Sequence, residues 1–209
     1  MPPLPAKVEE DLKEVEQTKH AFISEESFYE IYVYVIRLLH RKHSILKDER
    51  TRNATKQDFV NETWTPIMAK VFNDSDLILK WGDSVSQASI VAKKRSLPEG
   101  DAFGDRMDLG IMTSISGSMH DVLAGEFANS KLDPWKFTAD HLKALRESKI
   151  ILDHVVNQEF TTAHDARRLI VSSFQDNTLE DEVKITKLYA PGLFIIQYIS
   201  AATVLLSMY

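Results

Sequence analysis

Asp108 and Glu126 are the two acids whose types and spacing could do chemistry together. Residues 105 to 128, DRMDLGIMTSISGSMHDVLAGEFA, read as two strands joined by a tight turn at Ser116-Gly117-Ser118. Pairing symmetric about Gly117 sets Ile115 against Met119, Ile111 against Leu123, and Asp108 directly against Glu126. Directly opposed side chains have Cβ atoms only about 4.5 to 5.5 Å apart, so two carboxylates placed there repel. Water at an edge, a shared proton or a cation must offset that repulsion. The same register gives an apolar face, Leu109, Ile111, Ile115, Leu123 and Phe127, and a small, acidic one, Asp108, Gly110, Ala124, Glu126 and Ala128. The acidic face reads either as a solvated exterior or as a site, and a slip of one residue would dissolve it.

The flanking elements must hold this hairpin in place. Ser27 to Leu39 reads as a helix with capping-box spacing at Ser27 and Glu30 and a stripe through Phe28, Ile31, Tyr32, Val35, Leu38 and Leu39. Thr55 can cap a second helix striped by Val60, Trp64, Ile67, Met68 and Val71, kinked at Pro66, with Glu62 off the stripe. Leu77 to Trp81 and Ala88 to Ala92 are short apolar runs around the turn-like Gly82-Asp83-Ser84, and at least one reads as a strand. After the hairpin, Asp133 and Pro134 open a helix of about five to six turns through Leu142, Leu145, Ile151, Leu152, Val155 and Val156. Its polar face carries Asp140, Lys143, Arg146, Glu147 and Lys149, which reads as a surface ion-pair ladder. Strands follow at Arg168 to Phe174, Glu182 to Tyr189 and Leu193 to Ile199, with Pro191-Gly192 as a turn.

A chain of 209 residues with 44% hydrophobic content can build one well-sized core. The expected organisation is a flexible tail over 1–23 and a single domain over 24–209. The absence of cysteine excludes disulfides, thiolate metal sites and cysteine nucleophiles, and fits an intracellular setting. A net charge of −6 argues against a surface built wholly for nucleic acid. Basic clusters at Arg37 to Lys56 and Lys93 to Arg95 could still meet phosphates, although solvated helix ends are the commoner meaning. The apolar stretch 193–209 is interrupted by Gln197, Ser200, Thr203 and Ser207, so it reads as a strand entering a buried terminus rather than a membrane tether. Gly-rich phosphate loops, nucleophile elbows and His-Glu-x-x-His helices are missing from the sequence, and its seven histidines look scattered.

The order helix, strand, Asp-bearing strand, Glu-bearing strand, helix, strand, with Asp108 in GDRMDLGIM and Glu126 in AGEFA, resembles the PD-(D/E)XK nuclease-like superfamily. The phrases ETWTPIMAKVF, WGDSVSQAS and LKALRESKIILD, together with the two acidic strands, resemble an uncharacterised family abundant in mucoralean fungi, over about residues 25 to 200. The resemblance implies an α/β fold: a mixed β-sheet flanked by helices, with a restriction-endonuclease-like αβββαβ core, an extra N-terminal helix and extra C-terminal strands. It implies that Asp108 and Glu126 bind magnesium, with Glu62 as an accessory metal ligand. The superfamily's lysine, two residues after the Glu, is Ala128 here. Some members draw that lysine from the following helix, which makes Lys143 the substitute and Lys131 the next choice, for a catalytic set of Asp108, Glu126 and Lys143. Ala128 and the negative charge favour a degenerate, non-catalytic intracellular binding or interaction module. The alternatives are an active magnesium-dependent nuclease and a protein tethered to a membrane by its C-terminus.

Overall fold

The structure is a computed structural model. It describes residues 26–41, 55–73, 75–96, 103–115, 117–128, 134–157, 162–177 and 180–203, with Lys7, Glu10, Lys13 and Glu14 as isolated positions before them. The chain divides into two compact units, Met1–Ser75 and Asp76–Tyr209, so a boundary falls within the stretch expected to be a single domain. The 1–23 tail and most of the Arg37 to Lys56 cluster lie outside the described residues.

The first unit holds α1 (Glu26–Arg41), α2 (Lys56–Phe59), a π-helical segment (Val60–Trp64) and α3 (Thr65–Val71). Helix α1 already includes Glu26, so Ser27 is an interior residue and cannot be its cap. Thr55 does cap α2, in a reciprocal capping box with Asp58. The irregularity expected at Pro66 falls earlier, in the π segment, because proline in the first turn of α3 needs no intrahelical donor. Tyr34 donates its hydroxyl hydrogen to the Glu62 backbone oxygen at 2.5 Å.

The second unit is α/β: a mixed, mostly antiparallel sheet flanked by helices. Its strands are β1 (Ile78–Val85), β2 (Arg106–Ile115), β3 (Ser118–Ala128), β4 (Ile170–Asn177), β5 (Glu180–Ala190) and β6 (Leu193–Thr203). They lie side by side in chain order. Helix α4 (Gln87–Ser96) links β1 to β2, and α5 (Pro134–Val156) and α6 (Ala163–Arg168) lie between β3 and β4. Only β3 and β4 pair in parallel, as the long crossover through α5 and α6 requires. Helix α6 replaces the start expected for a strand at Arg168.

Gly82, at φ +66°, sits where the β1–β2 register shifts between Trp81 and Ser84. The expected turn is therefore a bulge inside one strand. The second apolar run, Ala88 to Ala92, is helical. Asp121 Oδ2 accepts from the Gln87 N–H at 3.1 Å and from the Ser86 hydroxyl at 3.2 Å, satisfying donors at the start of α4.

The core on the α5 side joins Ala88, Met107, Ala124, Ile151, Leu152 and Val171, with Leu188 and Phe194 packed against it. Full burial of one such large aliphatic side chain stabilises by about 1.5 to 3 kcal/mol. Aromatic contacts run Trp81 to Phe127 to Phe174, with ring centroids 5.8 and 5.5 Å apart. The expected strand is present as β6, an edge whose Leu193, Ile195, Ile196 and Ile199 are exposed, and the terminus expected to be buried beyond it lies outside the described residues. Among the described residues no helix is long and apolar enough to cross a membrane.

Candidate active site

The β2–β3 hairpin carries the two acids, and its register is corrected partway along. Near the turn Ile115 faces Ser118 and Met112 faces Asp121, one residue away from symmetry about Gly117. Val122 is then left over as a bulge, after which Ile111 faces Leu123, Gly110 faces Ala124 and Leu109 faces Gly125. The expected register thus fails at the turn and holds at the acidic end. There the ladder stops, and Asp108 Oδ2 accepts the Phe127 N–H at 2.8 Å, a bond from side chain to backbone.

Glu126 is buried, only 4% exposed, so the solvated-exterior reading of this face does not survive. Its Oε1 lies 2.8 Å from Lys143 Nζ, on α5. Burial pushes the Glu126 carboxyl up to about 7; Lys143 opposes the rise, and the charges of Asp108 and Asp140 add to it. The structure therefore brings Asp108, Glu126 and Lys143 together. Glu62 stands in the other unit, on the π segment, and Lys131 lies outside the described residues.

Lys143 reaches the sheet because the buried side of α5 differs from its apolar stripe. Leu142, an expected core residue, is 60% exposed, whereas Ala144, Glu147, Ser148, Ile151, Leu152 and Val155 are buried. The inward row is small and polar where α5 covers the acids, and aliphatic further along. Two members leave the expected surface ladder, since Lys143 pairs across to β3 and Glu147 is fully buried, while Lys149 pairs along the helix with Asp153 at 2.6 Å. Glu147 faces Asp105, which also meets Lys93 at 2.7 Å and Arg146 at 3.1 Å. Burial, then the neighbouring Asp105, pushes Glu147 up to about 8. The hydrogen bond from Glu147, aided by Lys93 and Arg146, holds Asp105 down to about 2 against its own burial. The Arg146 contact with Asp105 ties α5 to the start of β2.

A second polar group adjoins the acids and was not anticipated from sequence. Gln175 on β4 is the direct strand partner of Glu126, and Gln175 itself faces Glu182 on β5. His141 on α5 places Nδ1 3.1 Å from Gln175 Oε1, 3.1 Å from Lys184 Nζ and 3.4 Å from Glu182 Oε2. Lys184 pairs closely with Glu182 and lies over the Tyr198 ring, 5.3 Å from its centroid. Burial works against the Glu182 charge, but the hydrogen bond from Lys184 and its positive charge bring the net shift downward. The available signal was Lys184 set between Val183 and Ile185, a charge in a strand whose two faces did not separate cleanly. The histidines are less scattered than the sequence suggests: the His120 and His154 rings approach to 6.0 Å, and His120 is buried within β3 instead of standing at a turn.

Among the described residues no group of three or more His, Asp or Glu side chains is gathered to hold a metal ion. Two carboxylates suffice for magnesium, which commonly takes one or two from the protein and the rest of its oxygens from water and substrate phosphate. Asp108 and Glu126 fit that demand: both offer hard oxygen donors, and the charge of Asp108 opposes ionisation of Glu126 in a way a divalent cation would relieve. In the basic cluster at the end of α4, Lys93 is engaged by Asp105, and Lys94 and Arg95 are exposed. No family model, curated protein or solved structure matches this chain.

Proposed function

We propose that this protein is a PD-(D/E)XK-like, magnesium-dependent nuclease that hydrolyses phosphodiester bonds at Asp108, Glu126 and Lys143. The observation that carries this reading is the 2.8 Å approach of Lys143 Nζ to Glu126 Oε1, which places an ammonium beside the acid although the usual lysine position is Ala128. Asp108 and Glu126 would hold the metal, which would supply Lewis-acid polarisation of the phosphodiester and a more acidic bound water. Asp108 is kept in one orientation by the Phe127 N–H. Lys143 is 30% exposed, so its charge can both neutralise Glu126 and face the negative charge that develops on a phosphoryl oxygen. Exposed Lys94 and Arg95 suit the approach of a polyanion.

The second reading, a non-catalytic binding module, is favoured by two features: the Asp108 Oδ2 already accepts from a backbone donor, and Glu126 is largely closed from solvent. Cleavage of plasmid, single-stranded DNA and RNA in magnesium or manganese separates the two. The nuclease reading expects metal-dependent cutting that Asp108→Ala abolishes and Lys143→Ala cuts strongly. Cutting unchanged by Asp108→Ala, or none by the wild type, would refute it and leave the module.

A further inference from the structure

Three partners surround the His141 ring nitrogen Nδ1, and they make incompatible demands. Gln175 Oε1 and Glu182 Oε2 can only accept a hydrogen from it, whereas the Lys184 ammonium can only donate one to it. The other end of the Gln175 amide decides the matter. Its Nε2 donates to the Phe137 backbone oxygen at 3.1 Å, and only an NH2 can satisfy a carbonyl there. Oε1 is therefore turned toward His141, and Gln175 is only 3% exposed. With no hydrogen on Nδ1, that buried oxygen would face a lone pair with no donor, a costly arrangement. Lys184 does not need the histidine, because Glu182 and the Tyr198 ring already receive its ammonium. The hydrogen accordingly sits on Nδ1, and Nε2 carries the lone pair. No partner meets Nε2 among the described residues, and the side chain is 28% exposed.

We infer that His141 is the proton acceptor for the attacking water in phosphodiester hydrolysis at the Glu126–Lys143 site, an inference that rests on the nuclease reading. The residue is built like a general base, with one nitrogen fixed by acceptors and the other without a partner among the described residues. Its anchor, Gln175, is the direct strand neighbour of Glu126, so the histidine and the acid lie over adjacent strands of one sheet. As the water oxygen bonds to phosphorus, one of its protons passes to Nε2 and the bond from phosphorus to the leaving oxygen breaks. The leaving oxygen takes a proton from solvent, and the imidazolium returns its own, so one water is consumed. The titratable groups around the ring are Glu182 and Lys184 from β5, with Tyr198 from β6 behind them. Gln175 and Glu182 are positioning residues.

Nitrogen-15 NMR of the full chain, labelled at histidine, reads the tautomer directly, without activity. The expected spectrum shows His141 protonated at Nδ1 and bare at Nε2, with that preference weakened in Gln175→Leu. In the magnesium-dependent cleavage assay, His141→Gly is expected to lose about 10²- to 10⁴-fold, the usual share of a general base, and to regain activity with added imidazole. His141→Asn keeps an amide N–H near the Nδ1 position, preserving the contact to Gln175, and is expected to fold normally by circular dichroism with the same loss. An Nε2–H tautomer, or a folded His141→Asn cutting at the wild-type rate while Asp108→Ala stays inactive, would overturn this inference alone. A wild type that cuts nothing would overturn it together with the nuclease reading.

Discussion

Replacing Lys143 by methionine keeps most of the side chain's bulk and removes its charge from Glu126, so the effect is a matter of when that carboxyl must ionise. Its folded value of about 7 stands above the ordinary 4.5, so Glu126 contributes stability that is complete below about 4.5 and is lost as pH rises to about 7. Lys143 is the principal influence holding the value as low as it is. Without it, burial and Asp108 act unopposed, and the loss continues to higher pH. Each further pH unit costs the variant about 1.4 kcal/mol relative to wild type, so a gap of about 2 kcal/mol is reached near pH 8.5. Partial exposure of Lys143 lets water supply some of its field, which trims this to about 1 to 2 kcal/mol. Urea unfolding from about pH 5 to 8.5 is the assay, with Glu126→Gln and the double variant completing a thermodynamic cycle. The two curves should coincide near pH 5 and separate above 7, and the separation should vanish in the Glu126→Gln background. Parallel curves, or a gap that persists without the carboxyl, would refute the reasoning.

Glu147 offers the same test in another part of α5. Its carboxyl, pushed up to about 8, contributes stability that fades as pH rises from about 4.5 toward 8. Glu147→Gln keeps an N–H for Asp105 and cannot ionise, so its unfolding free energy should gain on wild type across that window by up to about 1.4 kcal/mol per pH unit; equal slopes would count against a shared proton. Gly125 lies opposite Leu109, and a Cβ added there would come within 2.9 Å of the Leu109 Cβ. Gly125→Ala should therefore cost about 1 to 3 kcal/mol in thermal or urea unfolding, and a neutral effect would show that the strands can part.

The part of the fold legible in the sequence was the part governed by periodicity and turn chemistry. Strands around Gly117 and Gly192, the Thr55 cap and the long helix after Pro134 all followed from local rules. The acidic end of the hairpin was legible too, because Gly110, Ala124 and Ala128 marked a face with room for acids. Helix α5 was harder, since an apolar stripe through Leu142 points the wrong way when the inward face must carry Lys143, His141 and Glu147. Position in the sheet, not hydropathy, turns those residues inward, and a site is where local rules are expected to give way. Of the two apolar runs, at least one of which reads as a strand, the first is one; nothing local marks Ala88 to Ala92 as a helix, because its capping acid, Asp121, is distant in sequence. Gln175 could be recognised only once β4 was known to run parallel to β3.

The bulge at Val122 makes the two ends of the β2–β3 hairpin separate pieces of engineering. Pairing near Gly117 obeys one count and pairing at the acids another, with a single surplus residue absorbing the difference. The turn can therefore be rebuilt in length or composition, with the mismatch taken up at Val122, while Asp108 keeps its hold on Phe127 and Glu126 keeps facing Lys143. Deleting Val122 should be tolerated for the same reason: it removes the surplus residue, so Met112–Asp121 and Ile111–Leu123 become consecutive pairs of one regular ladder and the acids keep their partners and their face. Variation in length should thus run freely from the tip of this hairpin through the bulge and stop at the pairs beyond it, a tolerance boundary drawn by strand geometry and not by distance from the site.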